Sequence, residues 1–98
     1  MSPTYSYAPE AREELLEAIQ FYETESPGLG AAFLSAVQEG LHHLLEFPKS
    51  APVLSGKVRH KVLNRFPYSL LYSLRGEEIR ILAVMNQKRR PFYWRGRQ

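Results

Sequence analysis

The fold is decided by residues 9–46, which read PEAREELLEAIQFYETESPGLGAAFLSAVQEGLHHLLE. Apolar residues recur at helical spacing in both halves of this stretch, as amphipathic helices require. They are Ala11, Leu15, Ala18, Ile19 and Tyr22 in the first half and Phe33, Val37, Leu41, Leu44 and Leu45 in the second. The link Ser26-Pro27-Gly28 ends the first helix, since a residue before proline is disfavoured in helical geometry. Two helices joined by so short a link are expected to form an antiparallel hairpin.

After Pro52 the apolar spacing changes to period two, which is typical of strands. Residues 58–62 and 68–74 alternate, and Arg75-Gly76-Glu77-Glu78 predicts a hairpin turn. Residues 79–85 are almost continuously apolar, as expected of a central strand covered on both faces. Tyr5 and Tyr7 indicate one short strand before the helices.

The sheet is the one apolar surface on which the helical hairpin can bury its stripe. The predicted fold is therefore α+β, in the order β-α-α-β-β-β. It has an N-terminal strand and an antiparallel helical hairpin packed on a mostly antiparallel sheet. A chain of 98 residues supports one core, so residues 1–98 are expected to form a single domain.

The composition excludes several classes of protein. There is no cysteine, which excludes disulfides, cysteine-bound metals and thiol catalysis. No apolar run approaches the roughly 20 residues of a membrane span, and residues 1–5 lack the pattern of a secretory signal. We therefore expect a cytoplasmic protein without membrane association. The neighbouring His42 and His43 would point about 100° apart on a helix and cannot chelate one metal together. Neither a metal site nor a cofactor is expected.

The charges are sorted along the chain. Residues 1–56 hold eight Glu against Arg12 and Lys49, a net charge of −6. Residues 57–98 hold eleven Lys or Arg against Glu77 and Glu78, a net charge of +9. A concentrated basic half suggests an anionic partner, either nucleic acid or an acidic protein segment. The alternative is a basic sheet surface that only keeps the protein soluble.

The candidate binding residues form two basic groups. One group lies on or beside the first strand after the helices. The other lies in the last fourteen residues, where cations are interleaved with aromatic rings. Such a pattern can bind a polyanion or form the hot spot of a protein interface. The candidates are Arg59, Lys61, Arg65, Lys88, Arg89, Arg90, Tyr93, Trp94 and Arg95. Pro91, Phe92 and Trp94 have a structural alternative, which is to cover one edge of the core. The sequence leaves open whether the Arg89–Arg90 end lies near Arg59 and Lys61 or near Arg65.

Conventional catalytic machinery is scarce. The chain has no glycine-rich phosphate loop, no Gly-x-Ser-x-Gly motif and no aspartate, and its glutamates are expected on helices, away from the basic strands. His60 is the one candidate for a conventional general base, but its alternation with Val58 and Val62 predicts that it faces inward. The chemistry left open is metal-independent phosphodiester cleavage, in which arginine and lysine stabilise the transition state and tyrosine or histidine transfers protons.

Several stretches together resemble the RelE/ParE toxin superfamily. They are residues 11–25, the link Ser26-Pro27-Gly28-Leu29-Gly30 leading to Phe33, Arg65-Phe66-Pro67-Tyr68-Ser69-Leu70-Leu71-Tyr72, Ile79-Arg80-Ile81-Leu82-Ala83-Val84, Arg89-Arg90-Pro91 and Tyr93-Trp94. The resemblance implies the toxin of a bacterial type II toxin–antitoxin module, a kind of module linked to plasmid stabilization. It also implies a cognate antitoxin that wraps the toxin with a partly disordered, often acidic segment, as a toxin–antitoxin hetero-oligomer.

The activities within the superfamily divide into two hypotheses. The long hairpin and the Pro-Gly-Leu-Gly link resemble the ParE side, whose members poison DNA gyrase and lack the catalytic set of RelE-like members, which favours a binding protein over an enzyme. The alternative is a RelE-like endonuclease that cuts mRNA on the ribosome, with Arg65, Arg89, Tyr93 and His60 as its catalytic candidates. Many ParE-like sequences carry histidine where this chain has Asn86. A third hypothesis is an inactive member that only binds an antitoxin-like partner.

Overall fold

A computed structural model describes residues 4–98 of the chain. Its elements are β1 (Thr4–Tyr7), α1 (Pro9–Glu25), α2 (Leu29–Glu46), β2 (Val53–Ser55), β3 (Val58–Val62), β4 (Tyr68–Arg75) and β5 (Glu78–Asn86). The strands form one sheet in the order β1-β5-β4-β3-β2, in which β1 is parallel to β5 and the other pairs are antiparallel. The predicted α+β fold is confirmed. The short strand β2 is an addition, because three residues are too few to show an alternating pattern.

The link between the helices depends on Glu23 and two glycines. Gly28 has a φ of 88°, a left-handed conformation that favours glycine. The Glu23 carboxylate accepts hydrogen bonds from the backbone N–H groups of Gly28 and Gly30, both at 3.1 Å, and so caps the start of α2. A Cβ atom at Gly30 would lie 2.7 Å from the Ile19 carbonyl oxygen. Only glycine therefore permits this close approach of the helices.

The main core lies between the helices and one face of the sheet. The predicted helical stripes are confirmed, since Ala11, Leu15, Ala18, Phe33, Val37, Leu41 and Leu44 are all buried. From the sheet, the fully buried residues include Leu70, Tyr72, Ile79 and Ile81. The Tyr72 hydroxyl donates a hydrogen bond of 2.7 Å to the Pro48 carbonyl, which satisfies its polar atom inside the core.

A β-bulge at Leu82 sets which side chains of β5 face the helices. Leu71 pairs with Ala83, but the next residue, Tyr72, pairs with Ile81, so Leu82 is one extra residue in β5. Both Ile81 and Val84 consequently belong to the helix-side core, whereas Ala83 packs on the opposite face. The predicted central strand with two covered faces is confirmed.

The register of β3 corrects the expected orientation of His60. Arg59 pairs with Tyr72 and Lys61 with Leu70, and directly paired residues share one face of a sheet. Arg59 and Lys61 therefore share one face, as their alternation predicted, but that face is the helix side and not the outer side. His60 lies on the face away from the helices together with Val62, which is 50% exposed. The expectation that His60 faces inward is wrong, because pairing with β4 turns Arg59 and Lys61 toward the helices. The aliphatic stem of Lys61 packs there beside α2, since a Cβ atom at Gly40 would lie 3.9 Å from the Lys61 Cγ.

Candidate partner-binding surface

Residues 87–98, here the C-terminal segment, cross the sheet face opposite the helices. The segment leaves β5 in a turn closed by backbone hydrogen bonds from Gln87 to Pro67 at 2.9 Å and from Arg89 to Asn86 at 3.0 Å. Trp94, which is 5% exposed, then packs on Leu71 and Ala83. Trp94 thus has the structural role that was one alternative for the aromatic residues.

Glu14 fastens this segment to α1. Its carboxylate accepts hydrogen bonds from the Tyr93 hydroxyl at 2.6 Å and from the backbone N–H of Val84 at 3.1 Å. It also forms an ion pair with Arg97 at 2.8 Å, in which the side chains of Arg97 and Glu14 are 14% and 15% exposed. We call Glu14, Tyr93, Arg97 and Val84 the Glu14 cluster. The expectation that the glutamates lie away from the basic strands is wrong for Glu14, because α1 runs beside β5.

The Glu14 cluster changes the acidity of Tyr93. Burial raises the pKa of the Tyr93 phenol well above its ordinary value, and the hydrogen bond to Glu14 raises it further. The guanidinium groups of Arg97 and Arg89 lower this pKa, but by less. Tyr93 therefore remains a neutral hydrogen-bond donor that is committed to a carboxylate, an arrangement that opposes a role as proton acceptor.

The raised pKa of Tyr93 predicts a loss of stability at alkaline pH. Its contribution is fully present below the ordinary tyrosine pKa of about 10 and is lost as the pH rises through the higher folded-state value. We expect Tyr93→Phe to reduce the fall in unfolding free energy above about pH 10, measured by urea denaturation at several pH values. Tyr5→Phe, at an exposed position of β1, is the control, and we expect it to retain the fall in unfolding free energy. An unchanged pH dependence in Tyr93→Phe would contradict the assigned hydrogen bond.

The arginines of the segment are stacked on its aromatic rings. The guanidinium of Arg89 lies 4.2 Å from the centroid of the Tyr93 ring, and that of Arg95 lies 4.2 Å from the centroid of Phe92. Such stacking leaves the N–H groups at the guanidinium edge available for carboxylates or phosphates. Lys88 and Arg90 are exposed on the same segment. We call these four exposed cations of the C-terminal segment the basic surface.

A cleft of about 280 Å³ separates α1 from the C-terminal segment. Two of the predicted site residues, Arg89 and Tyr93, meet in it. The lining residues are Glu14, Glu17, Ala18, Phe21, Tyr68, Val84, Asn86, Arg89 and Tyr93. The side-chain oxygen of Asn86 accepts a hydrogen bond of 2.9 Å from the backbone N–H of Lys88, so Asn86 shapes the turn that starts the segment.

The register of β4 with β5 settles which basic residues approach Arg89. Tyr68 pairs with Asn86, which places the loop holding Arg65 beside the start of the C-terminal segment. Arg65 is exposed there and has a φ of 72°. Arg59 lies elsewhere, where it donates hydrogen bonds to the carbonyls of Lys49 and Ala51 at 3.2 and 2.8 Å. It thereby holds the loop that follows α2.

The four catalytic candidates are not brought to one point. Arg89 and Tyr93 share the cleft beside α1, whereas His60 lines another cleft together with His43 and Lys61. Lys61 is half-buried beneath α2. Within residues 4–98, no three side chains of the His, Cys, Asp or Glu type come together as a metal site. In the same residues, neither helix combines the length and apolarity needed to cross a membrane.

Comparison with known proteins gives the family. The family model described as ParE toxin of type II toxin-antitoxin system, parDE, matches residues 5–91. The chain belongs to the ParE toxin family. The resemblance to the RelE/ParE superfamily, on its ParE side, is thereby confirmed. This ParE-type chain is a toxin of a type II toxin–antitoxin system, for which an antitoxin is the expected partner.

The fold of this ParE-type toxin is shared with a solved structure, the chromosomal ParDE TA system from P. aeruginosa. The two chains are 21% identical, with a TM-score of 0.74 over 87% of this chain and 96% of the other. The comparison with curated proteins found no match. The family match ends at Pro91, so Tyr93 and Arg97 of the Glu14 cluster lie beyond it.

Sequence reasoning missed Glu14 and the role of Arg97. Four glutamates lie in the first half of α1, and nothing in their spacing distinguishes Glu14 from Glu10, Glu13 or Glu17. Its role depends on where α1 crosses β5. Arg97 lies among the cations of the last fourteen residues, but its ion pair with Glu14 withdraws it from contact with a partner.

Proposed function

We propose that this ParE-type toxin inhibits growth by binding DNA gyrase in the cytoplasm. We further propose that a cognate antitoxin neutralises it by covering the basic surface or a neighbouring one. Membership of the ParE family supports the gyrase target over the ribosome. The observation that carries the proposal is the hydrogen bond of 2.6 Å from the Tyr93 hydroxyl to Glu14. A RelE-like nuclease would use Tyr93 for proton transfer, and here its hydroxyl is already bound to a carboxylate.

The basic surface has the chemistry of a contact region. Lys88, Arg89, Arg90 and Arg95 are all exposed. Stacking on rings restricts the positions of Arg89 and Arg95, so less side-chain freedom is lost when they pair with an anion. Arginine is over-represented at sites that recognise planar carboxylate or phosphate groups, because its guanidinium can donate two parallel hydrogen bonds. An acidic antitoxin segment and a gyrase surface rich in carboxylates are both suitable partners.

Expression in bacteria, with and without the protein encoded by the neighbouring reading frame, tests this function. Plasmid supercoiling and message integrity are read separately from the same cells. We expect growth to stop, plasmid DNA to lose negative supercoils, transcripts to stay intact and co-expression of the neighbour to restore growth. Cleaved transcripts with normal supercoiling would instead establish the ribosome-dependent endonuclease, and unimpaired growth would establish an inactive member.

A further inference from the structure

The Glu14 cluster links α1 to the segment that carries the basic surface. We infer that Glu14 is a positioning residue: it holds the C-terminal segment on the sheet and, through the Tyr93 ring, sets the place of the Arg89 guanidinium. The effect on partner contact rests on the proposed function. The position of the C-terminal segment on the sheet can be measured in the isolated protein and does not depend on the proposed function.

Within the part of the chain that the structure describes, the second half of β5 has no strand partner on the side where β1 pairs with its first half. Strand β1 pairs with β5 only from Glu78 to Ile81, although β5 continues to Asn86. Beyond Ile81, the backbone N–H of Val84 donates to Glu14, and the carbonyl of Leu82 accepts a hydrogen bond of 3.1 Å from Arg97. One carboxylate and one guanidinium therefore satisfy backbone groups that a neighbouring strand would otherwise pair.

Several hydrogen bonds depend on the single carboxylate of Glu14. Besides Val84, both oxygens of Glu14 serve the C-terminal segment: Arg97 donates at 2.8 and 3.2 Å, and Tyr93 donates at 2.6 Å. Removal of the charge would leave the guanidinium of Arg97 without its counter-charge at a site only 14–15% exposed, where water compensates poorly. We therefore expect the segment to loosen when Glu14 is neutralised.

The Tyr93 ring links Glu14 to Arg89. Two guanidinium groups lie over the Tyr93 ring, that of Arg97 at 4.9 Å and that of Arg89 at 4.2 Å from its centroid. The hydroxyl of the ring is fixed by Glu14, so the ring face offered to Arg89 is fixed as well. Glu14 thus influences Arg89, an exposed cation of the basic surface, through the Tyr93 ring.

Trp94 is a natural probe of this role, since it is the single tryptophan and lies buried in the same segment. We expect Glu14→Gln to shift Trp94 emission to the red and to raise its quenching by acrylamide several-fold at temperatures well below unfolding. Glu13→Gln is the matched control, because it makes the same change at the adjacent exposed position of α1. A residue that only stabilised the fold would lower the melting temperature and leave native Trp94 emission unchanged.

A second route approaches the cluster from the segment. Arg97→Gln should raise Trp94 quenching as Glu14→Gln does, and the double variant should add little, because the two residues act through one interaction. This variant leaves α1 intact, so it also decides the question if Glu14→Gln fails to fold. Protected Trp94 in a folded Glu14→Gln protein, or in Arg97→Gln, would overturn the inference.

Growth inhibition tests whether Glu14 sets the place of the Arg89 guanidinium or only holds the C-terminal segment on the sheet. We expect Glu14→Gln to reduce inhibition several-fold and Glu13→Gln to retain it. Exposed Trp94 with full inhibition would mean that Glu14 docks the segment without setting the contact geometry, which overturns the inference. A wild-type protein that leaves gyrase unaffected would instead contradict the proposed function, and the Trp94 measurements would keep their meaning.

Discussion

Replacing Phe33 by alanine is expected to lower the unfolding free energy by about 3–5 kcal/mol. Phe33 projects from α2 and is 0% exposed. Its ring lies 5.3 Å from Tyr22, 5.2 Å from Phe66 and 4.9 Å from Tyr68, measured between centroids. Alanine would leave a cavity where α1, α2 and the β3–β4 loop meet, and it would remove three ring contacts. Urea denaturation followed by circular dichroism gives the loss directly.

Phe21→Ala is the matched control for this change. Phe21 belongs to α1 but is 55% exposed, so the same truncation removes little buried surface. We expect a loss below about 1 kcal/mol, since exposed substitutions rarely cost more. Comparable losses for Phe33→Ala and Phe21→Ala would contradict the packing of the helical hairpin on the sheet.

Reversal of Arg89 and Arg90 to glutamate is expected to have the largest functional effect. Both side chains are exposed, and the reversal replaces two attractive charges on the basic surface by two repulsive ones. We expect antitoxin affinity to fall by at least about tenfold, equivalent to 1.4 kcal/mol, and growth inhibition to be lost. Folding should change little, because surface substitutions usually shift stability by less than about 0.5 kcal/mol. Isothermal titration calorimetry and denaturation measure the two effects.

A charge-matched control distinguishes a local surface from net charge. Lys57 and Arg75 are exposed at the end of the sheet opposite Asn86, and their reversal to glutamate changes the total charge by the same amount. We expect this control pair to retain antitoxin binding and growth inhibition. Equal losses in both pairs would show that the overall charge matters and not the basic surface. Unfolding of the Arg89/Arg90 variant would show that these arginines are structural.

The helical hairpin was predictable because its determinants are local. The periodic apolar residues of α1 and α2 identify the helices, and Pro27 with Gly28 marks the break between them. Both signals arise within a few residues along the chain. The nearly continuous apolar run of β5 likewise predicted a central strand, because only a strand covered on both faces can lack a polar side.

The orientation of β3 and the Glu14 cluster depend on long-range register. All five residues from Val58 to Val62 are half-buried or exposed, so their alternation carries little information about which face meets the helices. That face is fixed by the register of β3 with β4. Glu14 meets Tyr93 only because β1 stops short of the end of β5, a juxtaposition of residues 79 positions apart.

Supercoiling of relaxed plasmid by purified gyrase tests the central claim most directly. The wild-type toxin is added in increasing amounts, with a translation reaction on intact transcripts run in parallel. We predict that supercoiling stops at low molar excess, that antitoxin restores it and that the transcripts remain whole. Supercoiling that runs to completion at a large molar excess of folded toxin would contradict the account.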